Sequence, residues 1–259
     1  MLQLYFGNYM LMLLVFARMS GALLFNPLFG KRNVPVIAKI GLAMLASILL
    51  TPSLQVPPPV FSSTVSFMMS LLKEMLVGYT LGFLMNMFFS WVLMAGELID
   101  MEIGLGMAKM YDPLSNVSMP AAGTMFNLMF TLIFFSSNGH LTLIRILASS
   151  CQLFPPGPAL LDFQAGSYLA LMLSDIVVLA LKLAMPVLAT ELLTEAGMGV
   201  LMRIVPQINV FAASLQVKVA IGLVIIILAL PAASRLMDDT ITQMYQRMQE
   251  SLAVMLSGT

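Results

Sequence analysis

The stretch Met75–Gly96, MLVGYTLGFLMNMFFSWVLMAG, contains no Asp, Glu, Lys or Arg across its 22 residues. At helical rise it reaches about 33 Å, close to the roughly 30 Å hydrocarbon thickness of a bilayer. One such span excludes a soluble globular chain. Working outward, charge is also absent from Met1–Ala17, Ile40–Leu72, Pro113–Ile144 and Val219–Ser234. Of the 259 residues, 60% are hydrophobic and 9% charged, against roughly 45–50% and about 25% in soluble domains. The chain therefore needs an apolar solvent. The runs are too long and too uniform for barrel strands, so the expected class is all-α, with about six long hydrophobic helices or helix pairs.

Twelve basic residues balance twelve acidic ones, so bulk charge recruits no polyanion and no nucleic-acid partner is expected. Cys151 is the only cysteine, which excludes an intrachain disulfide and reads as a small buried hydrophobe. The start, Met-Leu-Gln-Leu-Tyr, lacks the basic opening of a secretory signal, and the N-terminus is expected to be structural.

Proline and charge divide the chain into blocks. Leu2–Leu28 ends in Asn26-Pro27 and the basic turn Lys31-Arg32-Asn33-Val34-Pro35, and Val36–Leu54 stops at Thr51-Pro52. Val56-Pro57-Pro58-Pro59 cannot continue a helix, because proline lacks the amide donor and clashes with the preceding turn. The third block runs from Phe61 to Gly96 and on into Glu97, Asp100 and Glu102. It reads as one tilted helix or as two broken near Gly78 or Gly82. Glycines, prolines and small polar residues over 104–123 form a central loop. Thr124–Phe154 contains a break at Asn138-Gly139-His140 and reads as a helical hairpin or a single span. Ser167–Arg203 and Asn209–Leu236 follow. The expected organisation is a membrane-embedded domain over 1–237 and a polar tail over 238–259. In that tail Ile241, Met244, Tyr245, Met248, Leu252 and Met255 recur every three or four residues. That spacing predicts an amphipathic helix lying on a surface or a partner.

A charge at mid-bilayer costs at least about 2.5–3.5 kcal/mol on insertion scales. Asp175, Lys182, Glu191, Glu195, Arg203 and Lys218 should therefore face protein or a lumen. Asp175 and Lys182 share a helix face, as do Glu191 and Glu195, whose like charges call for a cation such as Lys218. This set reads as a proton relay or as contacts to neighbouring subunits. Arg18 reads as a buried contact or as a side chain snorkelling to the interface. His140 has no second His or Cys at ligand spacing, so no metal is expected.

Enzyme readings fail on missing parts. Tyr111-Asp112 supplies half of an intramembrane aspartyl protease, but Gly104-Leu105-Gly106 is followed by Met107 and not by an aspartate. No serine-protease glycine motif serves His140, and no phosphate loop, HExxH or dinucleotide glycine pattern is present. No catalytic residue and no cofactor are expected. Methionine is abundant, with 25 residues, and Met107, Met110 and Met119 lie in the glycine-rich loop where no helix face buries them. A flexible apolar stopper would use such side chains.

Four ordered stretches resemble the family of FliR, the flagellar biosynthetic protein, and its type III secretion counterparts, the SctT proteins. They are Val34-Pro35 with Lys39-Ile40-Gly41-Leu42-Ala43; Gly96-Glu97, Gly104, Gly106, Ala108 and Asp112-Pro113-Leu114-Ser115-Asn116 with Pro120; Asn138-Gly139-His140-Leu141 with Leu143-Ile144; and Gly199 with Arg203-Ile204-Val205-Pro206-Gln207-Ile208-Asn209-Val210-Phe211. The chain departs from the family at Ser214-Leu215-Gln216-Val217-Lys218. There the family's Gly and Pro are replaced, which alters the expected bend after Phe211 while Lys218 stays in place.

The resemblance implies a helical-hairpin, membrane-associated subunit in a hetero-oligomeric pore with FliP-like and FliQ-like partners. It also implies FlhB-like and FlhA-like export components, unfolded secreted proteins as cargo, and a place in the bacterial inner membrane at the flagellar basal body. Under it, Gly106–Pro120 is the pore plug. Met107, Met110, Tyr111 and Met119 are its bulk, Gly104, Gly106 and Gly123 its hinges, and Asp112-Pro113 its turn. A rigid interhelical connector, a pure assembly scaffold and a multi-span secondary transporter with Glu191, Glu195 and Lys218 as coupling site are the competing readings. The basic residues Lys31, Arg32 and Lys39 suggest a cytoplasmic first link.

Overall fold

The computed structural model describes residues 2–28, 34–54, 56, 59–106, 120–157, 165–204 and 210–256. These residues form seven α-helices: α1 (Leu2–Leu24), α2 (Val36–Leu50, followed by a 3₁₀ turn, Thr51–Ser53), α3 (Thr64–Ile103), α4 (Ala121–Ser136), α5 (Gly139–Leu153), α6 (Ala165–Ile204) and α7 (Val210–Leu256). No strand occurs among the described residues. Among the described residues four segments are long and apolar enough to cross a membrane, Val36–Ser53, Thr64–Ile103, Ala170–Ile204 and Ala213–Ala253. The α4–α5 pair makes a fifth if counted as one broken span, bent by 68°. The break falls where the sequence places it: Asn138 sits at φ 57, ψ 29, a left-handed conformation that ends a helix and that asparagine tolerates.

The chain divides into two compact units, the first comprising 1–88, 138–172 and 241–259, the second 89–137 and 173–240. In the first unit Leu14 and Val15 of α1, Leu81, Leu84 and Met85 of α3, and Met244, Met248 and Leu252 of α7 form the interior. Here α2 is patterned for an apolar surrounding. Its inward face carries Lys39, Ala43 and Ser47, while Val36, Ile37, Ile40, Leu45, Ile48 and Leu49 point outward. In water that arrangement would expose the helix's best core residues, whereas against hydrocarbon it costs nothing.

The third block is one unbroken helix, so Gly78 and Gly82 interrupt nothing. They let α1 approach: a Cβ at Gly78 would fall on the carbonyl oxygen of Arg18, and one at Gly82 would lie 2.6 Å from the carbonyl oxygen of Ala22. The Gly-x-x-x-Gly spacing puts both on one face, as in close-packed membrane helices. The tail also differs from expectation. α7 continues without interruption through 237–238, and Ile241, Met244, Met248 and Leu252 are buried in the first unit itself. Its apolar stripe is thus covered by the chain's own core and not by a lipid surface or a second protein. Tyr245 is half-buried on that stripe, and the side chain of Met255 lies outside the described residues.

In the second unit Trp91, Val92, Ala95 and Ile99 of α3 and Phe126, Phe130 and Phe134 of α4 are buried, with Ala184 and Val187 of α6 and Met237 of α7 also enclosed. Phe89 and Trp91 meet Phe130 edge-on at centroid distances of 4.8 and 5.9 Å. These contacts set the antiparallel register of α3 and α4, which positions the two ends of the central loop.

Candidate functional site: the base of the central loop

Within the second unit, Gly96 and Gly123 bring the α3 and α4 backbones together. A Cβ on Gly96 would fall on the Gly123 backbone, and one on Gly123 would lie 2.6 Å from Cγ of Pro120. Gly123 is therefore a packing residue inside α4 and not the hinge expected for it. One turn beyond Gly96, the buried Asp100 side chain accepts a 3.1 Å hydrogen bond at Oδ1 from the Ala122 amide. That bond satisfies one of the orphan donors at the start of α4 and sets a carboxylate against the positive end of its dipole. A hydrogen bond to a charged group of this kind contributes about 1.5–3 kcal/mol. Pro120 is buried and extended, at φ −63 and ψ 136, and its carbonyl accepts from the Thr124 amide at 2.9 Å.

At the other end α3 stops at Gly104, whose φ of +90° suits glycine far better than residues with a side chain. A Cβ there would also meet Cδ1 of Leu215 at 2.5 Å. Gly106 follows, half-buried near Asp100 and Met101. Both edges of the loop thus converge on Asp100, joining α3 to α4 and bracing the α3 end against α7. Met107, Met110, Tyr111, Asp112, Pro113 and Met119 lie outside the described residues.

The charges predicted to need partners separate into two groups. Glu191 on α6 is fully buried, packed toward Gly222 of α7, and neither of its carboxylate oxygens has a hydrogen-bond partner. Lys218, one turn before Gly222, reaches Glu195 instead, with 3.5 Å between Nζ and Oε2. The expected meeting of Lys218 with this acidic pair therefore occurs, on its outer member. Asp175, Lys182 and Arg203 lie on exposed parts of α6.

Arg18 does not snorkel. In the first unit its guanidinium is enclosed, with Nε 2.6 Å and Nη2 2.5 Å from Oε2 of Glu74. Nη1 donates to the carbonyl of Ser150 at 2.7 Å, and the group sits 5.4 Å from the Phe154 ring centroid. Glu74 Oε1 accepts from the Gly157 amide at 3.2 Å. Glu74 and Asp100 are the residues that sequence reasoning did not single out. Their signal was a carboxylate at the edge of a membrane-length apolar run, where an acid needs a partner.

The family described as bacterial export proteins, family 1, matches residues 9–244. The chain is 29% identical over 245 residues to the flagellar biosynthetic protein FliR of Bacillus subtilis, covering 93% of this chain and 94% of that one. It is 30% identical over 228 residues to FliR of Aquifex aeolicus, covering 88% of each. It is also 30% identical over 222 residues to the surface presentation of antigens protein SpaR of Salmonella typhimurium, covering 82% of this chain and 80% of that one.

Proposed function

The chain belongs to family 1 of the bacterial export proteins, and from that premise we propose that it is a membrane-embedded subunit of a type III protein export apparatus. Its role there is structural and gating: it lines a conduit for unfolded proteins in the bacterial inner membrane, at the base of a flagellum. FliP-like and FliQ-like subunits complete the ring, with FlhB-like and FlhA-like components beside it. Residues 106–120 act as the plug. A pore wide enough for an extended polypeptide leaks ions unless an apolar constriction closes it at rest, and Met107, Met110, Tyr111 and Met119 supply the apolar bulk.

The observation that carries this reading is the anchored base of the loop. Asp100 bonded to Ala122, Gly96 against Gly123 and the left-handed turn at Gly104 hold both ends of a methionine-bearing segment at one place. A stopper needs a fixed base, since a plug loose at its root cannot return to one position. The exposed faces of α2, α6 and α7 offer the apolar area that sibling helices and lipid would cover.

The Lys218–Glu195 contact beside Glu191 is also what a secondary transporter would use as a coupling site. Purification from native membranes in mild detergent separates the two. An export subunit is expected to elute in one complex with at least two other small membrane proteins and to be lost from membranes when they are deleted. A chain that elutes alone, or as copies of itself, and stays stable after those deletions contradicts the reading.

A further inference from the structure

In the second unit α6 and α7 run antiparallel, so that four residues back along α6, from Glu195 to Glu191, corresponds to four residues forward along α7, from Lys218 to Gly222. Lys218 thus stands between two carboxylates on one helix face. It contacts the outer one, Glu195, whose side chain is 64% exposed, at a separation of 3.5 Å, long for an ion pair. The inner one, Glu191, is fully enclosed, and both its oxygens are without hydrogen-bond partners. A Cβ at Gly222 would lie 3.1 Å from Glu191 Oε1 and 2.6 Å from Cδ1 of Ile103, so the glycine brings α7 close to that oxygen and the Ile103 side chain fills the space between. Among the described residues, Glu102 of α3, Glu195 of α6 and Lys218 of α7 are the charged groups whose fields reach Glu191. Among them only Lys218 is a cation.

We propose that Lys218 exchanges between these two carboxylates, pairing outward with Glu195 in the arrangement described and inward with Glu191 when Glu195 is taken by another cation. Carboxylates four apart on a helix are only about 5–6 Å apart at Cβ and the lysine stem is flexible, so one side chain serves both once the Ile103 side chain beside Gly222 turns aside. The energies are opposed in a way that permits two states. Outward, the ammonium keeps part of its hydration but leaves a carboxylate enclosed without a partner, which is costly. Inward, the ammonium loses that hydration but supplies the missing partner. A basic side chain from a second protein, landing on the exposed Glu195, removes the outward option and drives the charge in. The inward position also lies against the end of α3, since Leu215 touches Gly104 and Gly222 faces Ile103. The exchange therefore moves a positive charge toward the root of the central loop, although the inference stands on these contacts and not on the export reading.

Glu195→Gln imitates the loss of the outer partner at an exposed position, where folding is unaffected. The purified full-length chain, within its native complex, is treated with a water-soluble amine-acylating reagent, and labelling of Lys218 is quantified by peptide mass spectrometry relative to Lys182. Labelling is expected to fall severalfold in E195Q, because Lys218 withdraws onto Glu191, and to return to or above the unsubstituted level in E191Q/E195Q. Unchanged or increased labelling in E195Q overturns the proposal, as does a fall that persists in E191Q/E195Q. Loss of ion tightness on loop deletion would be a separate matter and leaves this outcome untouched.

Discussion

Replacing Arg18 with methionine is expected to cost about 3–5 kcal/mol of stability, the range for removing one partner of a buried ion pair. Nothing else among the described contacts of Glu74 carries positive charge: Oε2 meets only the guanidinium, and Oε1 meets the neutral Gly157 amide. The substitution also strands the Ser150 carbonyl at the end of α5. Three pieces of the first unit would loosen together, namely α1, the start of α3 and the turn after α5. Against the roughly 5–15 kcal/mol by which folded domains are stable, that is a large fraction. The double substitution R18M/E74L removes both charges and leaves apolar volume, so it should recover most of the loss. Thermal unfolding in detergent, followed by helical circular dichroism, measures both variants. A single variant as stable as the unsubstituted chain, or a double variant no better than the single, would mean that the pair holds nothing.

Leucine at Gly78 should be worse tolerated still. The atoms that its Cβ would meet are the Arg18 carbonyl oxygen, the Arg18 carbonyl carbon at 2.8 Å and the Ala22 amide nitrogen at 2.9 Å, all backbone. Backbone cannot step aside as a side-chain tip can, so α1 and α3 must separate. Overpacking alone typically costs about 1–3 kcal/mol. Separation would also pull Arg18 away from Glu74, adding the loss described above. G78L is expected to be degraded, with little protein left in the membrane fraction. Gly41 on α2 is the control, because a Cβ there meets nothing within 4 Å, and G41L should accumulate normally. Equal membrane levels of the two variants would refute the close-crossing role of Gly78.

The gross architecture was readable because membrane length is written in uninterrupted apolar runs, and the α4–α5 break because Asn138-Gly139 is chemically a turn. The Lys218–Glu195 contact was readable from helix periodicity, which places Glu191 and Glu195 on one face, together with the need of like charges for a cation. What could not be read depends on how helices cross. Arg18 and Glu74 are 56 residues apart, and no local pattern announces their meeting, so snorkelling was the more natural reading of Arg18. Gly78, Gly82 and Gly123 illustrate a second ambiguity. Glycine marks either a break or a close approach, and only the neighbouring helix distinguishes them. Asp238-Asp239 reads as the end of a domain; α7 runs through it unbroken to bury Met244 and Met248, and the division between the two compact units falls close by, between Thr240 and Ile241. Of the expected loop site, its rims at Gly104, Gly106 and Pro120 lie among the described residues, and there Asp100 proved to be the anchor.

The central claim is that residues 106–120 close a conduit whose wall this chain helps to build. Its most direct test replaces those residues by a short Gly-Ser linker joining Leu105 to Ala121, which leaves Asp100 and Ala122 in place. Resting ion flux is then measured through the assembled complex in sealed vesicles without cargo. With the complex intact, flux is expected to rise severalfold over the unaltered assembly. Intact assemblies that remain as tight as before would contradict the claim and leave the segment a connector.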